Sequence, residues 1–356
     1  MERVLFYITG HGFGHATRVI EVINELVKAA PRVRPLISTA APRWLFEERA
    51  APGFEYLQCE NDVGVAQKDW RGVDKRETLR RCAEFIRKEL TLLQTQLDLV
   101  ARTKVAAIVS DIPAVAFLVA RKAGVPGFGI TNFSWDWIYA PYLAEYPEYR
   151  FVVEHIRGSY STADCLLRLP FHGDLSAFPV IEDIPLIARR SGLEREEIRR
   201  RLSLDRNRKM VLVYLGRFEH EKALSDPPAG RRAGETRRRD DYVFLAPRDI
   251  KPAGLLFQDL VKAADAVVTK PGYGIVSECI ANRTPILYTS RQDFREYDAL
   301  VDGIKKYAHG RFLPPEDFLG GRWAAHLDEL LSAEYEWPEV AVNGAETAAR
   351  RILRAM

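Results

Sequence analysis

Apolar and polar positions along this chain switch repeatedly between two periods. Residues 4–8 are a short apolar run closed by Gly10, the pattern of a strand buried on both faces. Directly after it, Ala16, Val19, Ile20, Ile23, Leu26 and Val27 recur at the spacing of one helix face. Strand-like runs follow at 35–38, 55–58, 105–109 and 127–130. Between them lies a helical stretch, 77–100, with Phe85, Ile86, Leu90, Leu93 and Leu97 in one stripe. A shorter one, 114–122, runs into Gly124, a natural helix stop. This alternation predicts a mainly parallel sheet with helices on both faces.

Near 169–185 the periodicity lapses, and Pro170, Gly173, Pro179 and Pro185 read as a linker. The pattern then restarts. A charged helix is predicted at 193–202, a buried strand at 210–215 ending in Gly216, further strands at 242–245, 266–269 and 285–289, and a helix at 255–264. The expected division is 1–172, a linker at 173–186, and a second domain at 187–343. A length of 356 residues suits two cores. Residues 220–241 break the second half with Pro227, Pro228, Gly230, Gly234 and five arginines between Arg231 and Arg239. They read as a solvated surface insertion, the alternative being a basic arm that touches anionic lipid or nucleotide.

Composition adds exclusions. The net charge is +3, which implies no particular partner and no nucleic acid. The four cysteines, Cys59, Cys82, Cys165 and Cys279, are far apart, which argues against a disulfide framework and a structural zinc site and fits a reducing cytoplasm. No apolar run approaches the ~18 residues of a membrane span. The apolar start of the chain is too short for a signal peptide. Peripheral membrane contact is left open.

Four segments carry candidate chemistry. The first is Gly10–His11–Gly12–Phe13–Gly14–His15–Ala16–Thr17–Arg18, a turn between a strand and a helix. Such a turn lies at the carboxyl edge of a parallel sheet, where ligands bind. Its glycines allow close backbone approach, and the helix start favours anions or polar groups. The spacing is G-x-G-x-G, the second strand ends at Ser38 and Thr39, and no P-loop lysine is present, so dinucleotide and ATP readings weaken. The second is Asp111, directly after the fourth strand. It either orients a histidine or caps the next helix. The third is Thr269–Lys270–Pro271–Gly272–Tyr273–Gly274–Ile275–Val276–Ser277–Glu278, again strand, glycine turn and helix, which suits a diphosphate. Glu278 is placed to accept ribose hydroxyls or is a solvated helix residue. The fourth is the polar stretch 290–297, able to meet sugar hydroxyls or simply a solvated loop. After the fifth strand, Asn132, Trp135 and Trp137 interleave polar and aromatic groups.

Together these segments resemble GT-B fold glycosyltransferases. The chain is similar to the N-acetylglucosaminyltransferase of peptidoglycan lipid synthesis. It is more similar to the glycosyltransferase-like N-terminal part of plant arabinokinases, above all at residues 11–18, 131–139 and 270–278. The resemblance spans about residues 4–308. It implies an α/β chain of two doubly wound Rossmann-like domains facing across a cleft, with 344–356 a tail helix returning to the first. It implies a metal-independent, inverting transfer, without a cofactor, from a nucleotide-sugar donor, UDP-linked first, to an unidentified small-molecule, glycan or lipid hydroxyl. In this reading His15 is the catalytic base, Asp111 its partner and His11 a further candidate. Gly12, Phe13, Gly14, Arg18, Asn132, Trp135 and Trp137 face the acceptor. Gly216, Arg217, Lys270, Gly272, Tyr273, Gly274, Ser277, Glu278, Arg295 and Glu296 face the donor. The sequence departs from the family after Gly216, where Arg217–Phe218–Glu219–His220 replaces a glycine-rich turn. A non-catalytic nucleotide-sugar-binding partner of a sugar kinase and a sugar-nucleotide epimerase of the same fold stay open as alternatives.

Overall fold

The computed structural model describes residues 2–68, 72–215, 241–247 and 254–356. Gly216, Arg217 and nearly all of the arginine-rich insertion lie outside the described residues. The chain forms two compact units. The first comprises Met1–Ile187, Asp293–Glu296 and Ala341–Met356, and the second Ala188–Gln292 and Tyr297–Val340.

In the first unit, seven strands make one parallel sheet. They are β1 (Glu2–Ile8), β2 (Val33–Thr39), β3 (Glu55–Gln58), β4 (Val105–Asp111), β5 (Gly127–Thr131), β6 (Cys165–Arg168) and β7 (Ile181–Asp183), in the order β3-β2-β1-β4-β5-β6-β7. Val4, Leu5, Phe6, Tyr7 and Ile8 are all buried, because β1 is central and helices cover both faces. The helices that bear on the site are α1 (Phe13–Ala29), α2 (Trp44–Glu47), α3 (Lys75–Thr103), α4 (Val115–Ala123), α5 (Trp135–Tyr139) and α6 (Arg150–Tyr160). The order reverses between β1 and β4, since β2 and β3 lie to one side and β5 to the other. Loops leaving the carboxyl ends of those two strands diverge there and open a crevice. The Gly10–His15 turn leaves β1, and Asp111 ends β4.

Among the described residues, the second unit has a parallel sheet of five strands: β8 (Lys209–Tyr214), β9 (Tyr242–Leu245), β10 (Ala266–Thr269), β11 (Ile286–Tyr288) and β12 (Gly310–Phe312). Its order is β12-β11-β10-β8-β9, so the reversal falls between β8 and β10. The 270–274 turn leaves β10 at that point.

Several boundaries differ from the sequence reading. The stretch read as a linker, 173–186, contains β7, which pairs with β6. Its prolines bracket a three-residue edge strand too short for periodicity to register. The tail also begins earlier. Leu186 N–H donates to the Ala341 carbonyl at 3.1 Å, and Gly344 N–H to the Leu186 carbonyl at 3.1 Å, ahead of the helix Gly344–Leu353. That helix packs on α1, and Arg351 pairs with Glu182 at 3.0 Å. Finally, Asp293–Glu296 belongs to the first unit although the residues around it belong to the second. No helix among the described residues is long and apolar enough to cross a membrane.

Candidate functional site

The β1 turn is built by steric exclusion. A side chain at Gly10 would sit 2.8 Å from the Ala40 Cβ, so the turns after β1 and β2 touch. Gly12 has φ 135°, a region that side chains rarely adopt, and it starts α1 with no side-chain cap. The first N–H groups of α1 therefore keep their affinity for polar groups or anions.

In the first turn of α1, His15 meets Asp111. His15 Nδ1 lies 2.9 Å from Asp111 Oδ1. With the proton on Nδ1, the ring donates to the carboxylate and Nε2 carries the lone pair, the arrangement of an oriented general base; Arg18 Nη2 also lies 3.0 Å from Nδ1, and in the other tautomer it donates there instead. The ring edge also packs against Phe133, centroids 5.5 Å apart. Asp111 does not serve as a helix cap. Its carboxylate is fully buried and clamped by Arg18, with Nε 2.5 Å from Oδ2 and Nη2 2.6 Å from Oδ1. Burial pushes the carboxyl up, but the charges and hydrogen bonds of Arg18 and His15 more than offset this and hold it below the usual range.

Arg18, expected at the acceptor, is thus committed to the interior, 4% exposed. Its Nη1 also donates to Asn132 Oδ1 at 2.8 Å. Asn132 in turn donates from Nδ2 to Glu296 Oε1 at 2.9 Å. Glu296, assigned above to the donor-binding domain, therefore joins the chain His15, Asp111, Arg18 and Asn132 within the first unit. Arg295 sits beside it, its guanidinium 4.6 Å from the Trp137 ring and its Nη1 donating to the Trp137 carbonyl at 3.1 Å. A side chain at Gly173 would meet the Trp137 ring at 2.5 Å, so the ring is also packed on that side. Trp135 is buried at 2% exposure and offers no open face to a ligand. The aromatic motif is mostly wall. His11 is packed similarly: its ring stacks on Phe294 at 6.1 Å and meets Trp135 edge-on at 5.6 Å. Phe13 pairs edge-on with Trp44, which is 47% exposed.

Sequence reasoning missed Asp62, in the loop after β3. Its carboxylate accepts from the Thr9 hydroxyl and from Trp135 Nε1–H, both at 2.8 Å. Burial, with a smaller push from Asp111, raises it to about 6, against those hydrogen bonds and the charge of His15. No pattern of spacing marks this loop, since nothing links Asp62 to Trp135 before the chain folds.

In the second unit, the helix Tyr273–Asn282 starts at Gly272 with no side-chain cap, and space is open beside the Gly272 Cα. The N–H groups at such a helix start suit an anion. Ser277 donates to the Gly274 carbonyl at 2.9 Å, within its own helix. Tyr273 is buried. Lys270 remains partly exposed at the turn. Glu278 is not solvated: it is 4% exposed and its Oε1 takes both Nε, at 2.6 Å, and Nη2 of Arg189. Its Oε2 has no hydrogen-bond partner among the described residues. Burial raises this carboxyl, and Arg189 opposes the rise. Among the described residues, no group of three or more His, Cys, Asp or Glu side chains could hold a metal ion.

No protein-family model matches the chain. Over 358 residues the chain is 32% identical to an L-arabinokinase of Arabidopsis thaliana, a match that takes in 97% of this chain and 33% of that protein. The chain thus spans about a third of the length of that relative. It is 23% identical over 261 residues to an uncharacterized glycosyltransferase of Methanopyrus kandleri, covering 68% of this chain and 74% of that one. Among solved structures it resembles a UDP-glucosyltransferase from Polygonum tinctorium capable of glucosylating indoxyl, with a TM-score of 0.58, 13% identity, and coverage of 99% and 98%. The fold is that of the GT-B glycosyltransferases.

Proposed function

We propose that this chain is a glycosyltransferase that moves a sugar from a nucleotide-diphosphate donor to a hydroxyl acceptor. The observation that carries the reading is His15, held by buried Asp111 at the switch point of a GT-B unit. His15 Nε2 takes the acceptor proton as the oxygen attacks the anomeric carbon, and the imidazolium that forms faces the Asp111 carboxylate. The leaving diphosphate is received by the open start of the helix Tyr273–Asn282, with Lys270 beside it. A UDP-linked donor is favoured by the likeness to a UDP-glucosyltransferase, and direct attack predicts inversion. The reaction needs no metal in this scheme, because helix dipole and lysine supply the positive field.

The test is calorimetric titration with UDP, GDP, ADP and dTDP, with and without EDTA, followed by turnover of the preferred nucleotide-sugar over a panel of hydroxyl acceptors. One diphosphate binding selectively and indifferently to EDTA is expected. His15→Ala should lower turnover by about 10²–10⁴-fold while leaving diphosphate affinity unchanged. Full turnover in that variant, or a product of retained configuration, refutes the assignment. A second reading, a nucleotide-sugar-binding partner of a sugar kinase, draws on the match to part of an L-arabinokinase. Selective diphosphate binding with no turnover on any acceptor would favour it.

A further inference from the structure

The loop 61–65 is tied down at several points, yet it contributes no residue to the scheme above. Asn61 donates from Nδ2 to the Ser38 carbonyl at 2.8 Å, and the Tyr139 hydroxyl donates to the Gly64 carbonyl at 2.5 Å. Between these anchors Asp62 uses its two oxygens on two different parts of the site. Oδ1 accepts from the Thr9 hydroxyl. That same hydroxyl oxygen accepts the His11 N–H at 3.2 Å, while Thr9 N–H donates to the Asp111 carbonyl at 2.9 Å. Oδ1 thus holds the start of the glycine turn. Oδ2 accepts from Trp135 Nε1–H. The Trp135 ring lies edge-on to His11 and to Phe133, at 5.6 and 5.2 Å, and Phe133 lies edge-on to His15 at 5.5 Å. Oδ2 thus holds the aromatic wall behind both histidines.

We propose that Asp62 is a positioning residue of this site, its carboxylate fixing the His11–His15 turn through Thr9 and the ring wall through Trp135 at once. Its bearing on turnover rests on the glycosyl-transfer reading; its two tethers do not. The chemistry requires a carboxylate. Two donors converge on it, and an ionised carboxyl has acceptor sites on both oxygens. An amide or a protonated carboxyl has one acceptor oxygen and one donor group. With an amide, one of the two donors meets an N–H group, and reversing the Thr9 contact would need the second lone pair of a hydroxyl that already accepts from His11 and would leave its O–H without this acceptor, so one tether is weakened.

The titratable groups facing Asp62 are His15 from α1, Asp111 at the end of β4, Cys82 from α3, Tyr139 from α5 and Tyr160 from α6. Arg18 bonds Asp111, and the pair of Glu89 and His155 lines the same small cavity as Asp62. Burial pushes the cysteine and both tyrosines up, away from neutral pH. His155, which lines the same cavity, is raised by its bond to Glu89.

The experiment follows the indole N–H resonances of the ¹⁵N-labelled protein from pH 4.5 to 8, with W135F to assign Trp135. In the wild type the Trp135 resonance should move with a midpoint of about 6. In D62N that transition should vanish, with the remaining indole signals in place as evidence of folding. Turnover of UDP-glucose, by transfer or hydrolysis, should fall on the order of 10–100-fold in D62N with diphosphate affinity unchanged. A Trp135 indole resonance that D62N leaves unmoved throughout this pH range overturns the proposal. So does full D62N turnover. If the wild type fails to turn over any nucleotide-sugar, the glycosyl-transfer reading fails, and the indole titration still decides the role of Asp62.

Discussion

Replacing Arg18 by methionine tests the centre of the site most directly. The Arg18 side chain is 3% exposed and that of Asp111 is 0% exposed, and two N–H groups of the guanidinium occupy both carboxylate oxygens. R18M keeps most of the packing volume and strands the carboxylate, with the His15 Nδ1–H its remaining charged or polarised partner in this network. Breaking a buried pair from one side costs about 3–5 kcal/mol. That is about a fifth or more of the total for domains of ~5–15 kcal/mol. For a unit of this size it corresponds to roughly 6–20 °C in Tm. The effect has a pH signature. In the wild type the folded-state pKa of Asp111 lies below its unfolded value of about 3.9. Its contribution is therefore present above about pH 4 and is lost as pH falls through the folded value. In R18M, burial is no longer opposed by Arg18, so the carboxyl should titrate above its unfolded value. The penalty should be largest at neutral pH and shrink towards pH 4, where the group protonates. R18M/D111N, which removes the stranded charge, should recover much of the loss. Thermal and urea unfolding of the wild type, R18M and R18M/D111N at pH 7 and pH 4.5 measure this. An R18M within about 0.5 kcal/mol of wild type at pH 7, or a deficit that D111N leaves untouched, refutes the reasoning.

Three further substitutions probe other joints. Gly64 has φ 67°, and a Cβ there would meet the His11 ring at 2.7 Å, so G64A should cost about 1–2 kcal/mol and shift the His11 imidazole resonances. A Cβ at Gly344 would lie 2.1 Å from the Pro185 carbonyl oxygen, so G344A should loosen the tail helix and expose residues 341–356 to limited proteolysis; unchanged protection would contradict that docking. In the second unit, R189M should lose about 3–5 kcal/mol by stranding Glu278, and R189M/E278Q should regain most of it; equal stability of single and double variants would show that the pair carries no buried charge.

Local pattern was enough to place most strands and helices of both units. The runs at 55–58, 242–245 and 266–269 match β3, β9 and β10 residue for residue. A buried parallel strand must be apolar throughout and the covering helices must be amphipathic, so the periods themselves carry the architecture. The turn after β1 and Asp111 at the end of β4 could be picked out because each lies at the carboxyl end of a strand, and parallel strands present those ends to one edge. What local pattern could not carry was anything decided by long-range packing. β7 is three residues among prolines and exists because β6 offers it a ladder. Arg18 reads as a polar residue one turn into a helix, and it became an interior clamp because β4 places a carboxylate against it. Trp135 and Trp137 carry the composition of a binding surface, and packing turned the first into core and set the second against Gly173 and Arg295. Asp62 and Glu296 lie 53 and 164 residues from Thr9 and Asn132, the residues they bond. No sequence spacing encodes such contacts, because their energy exists only once desolvation and tertiary packing bring donor and acceptor together.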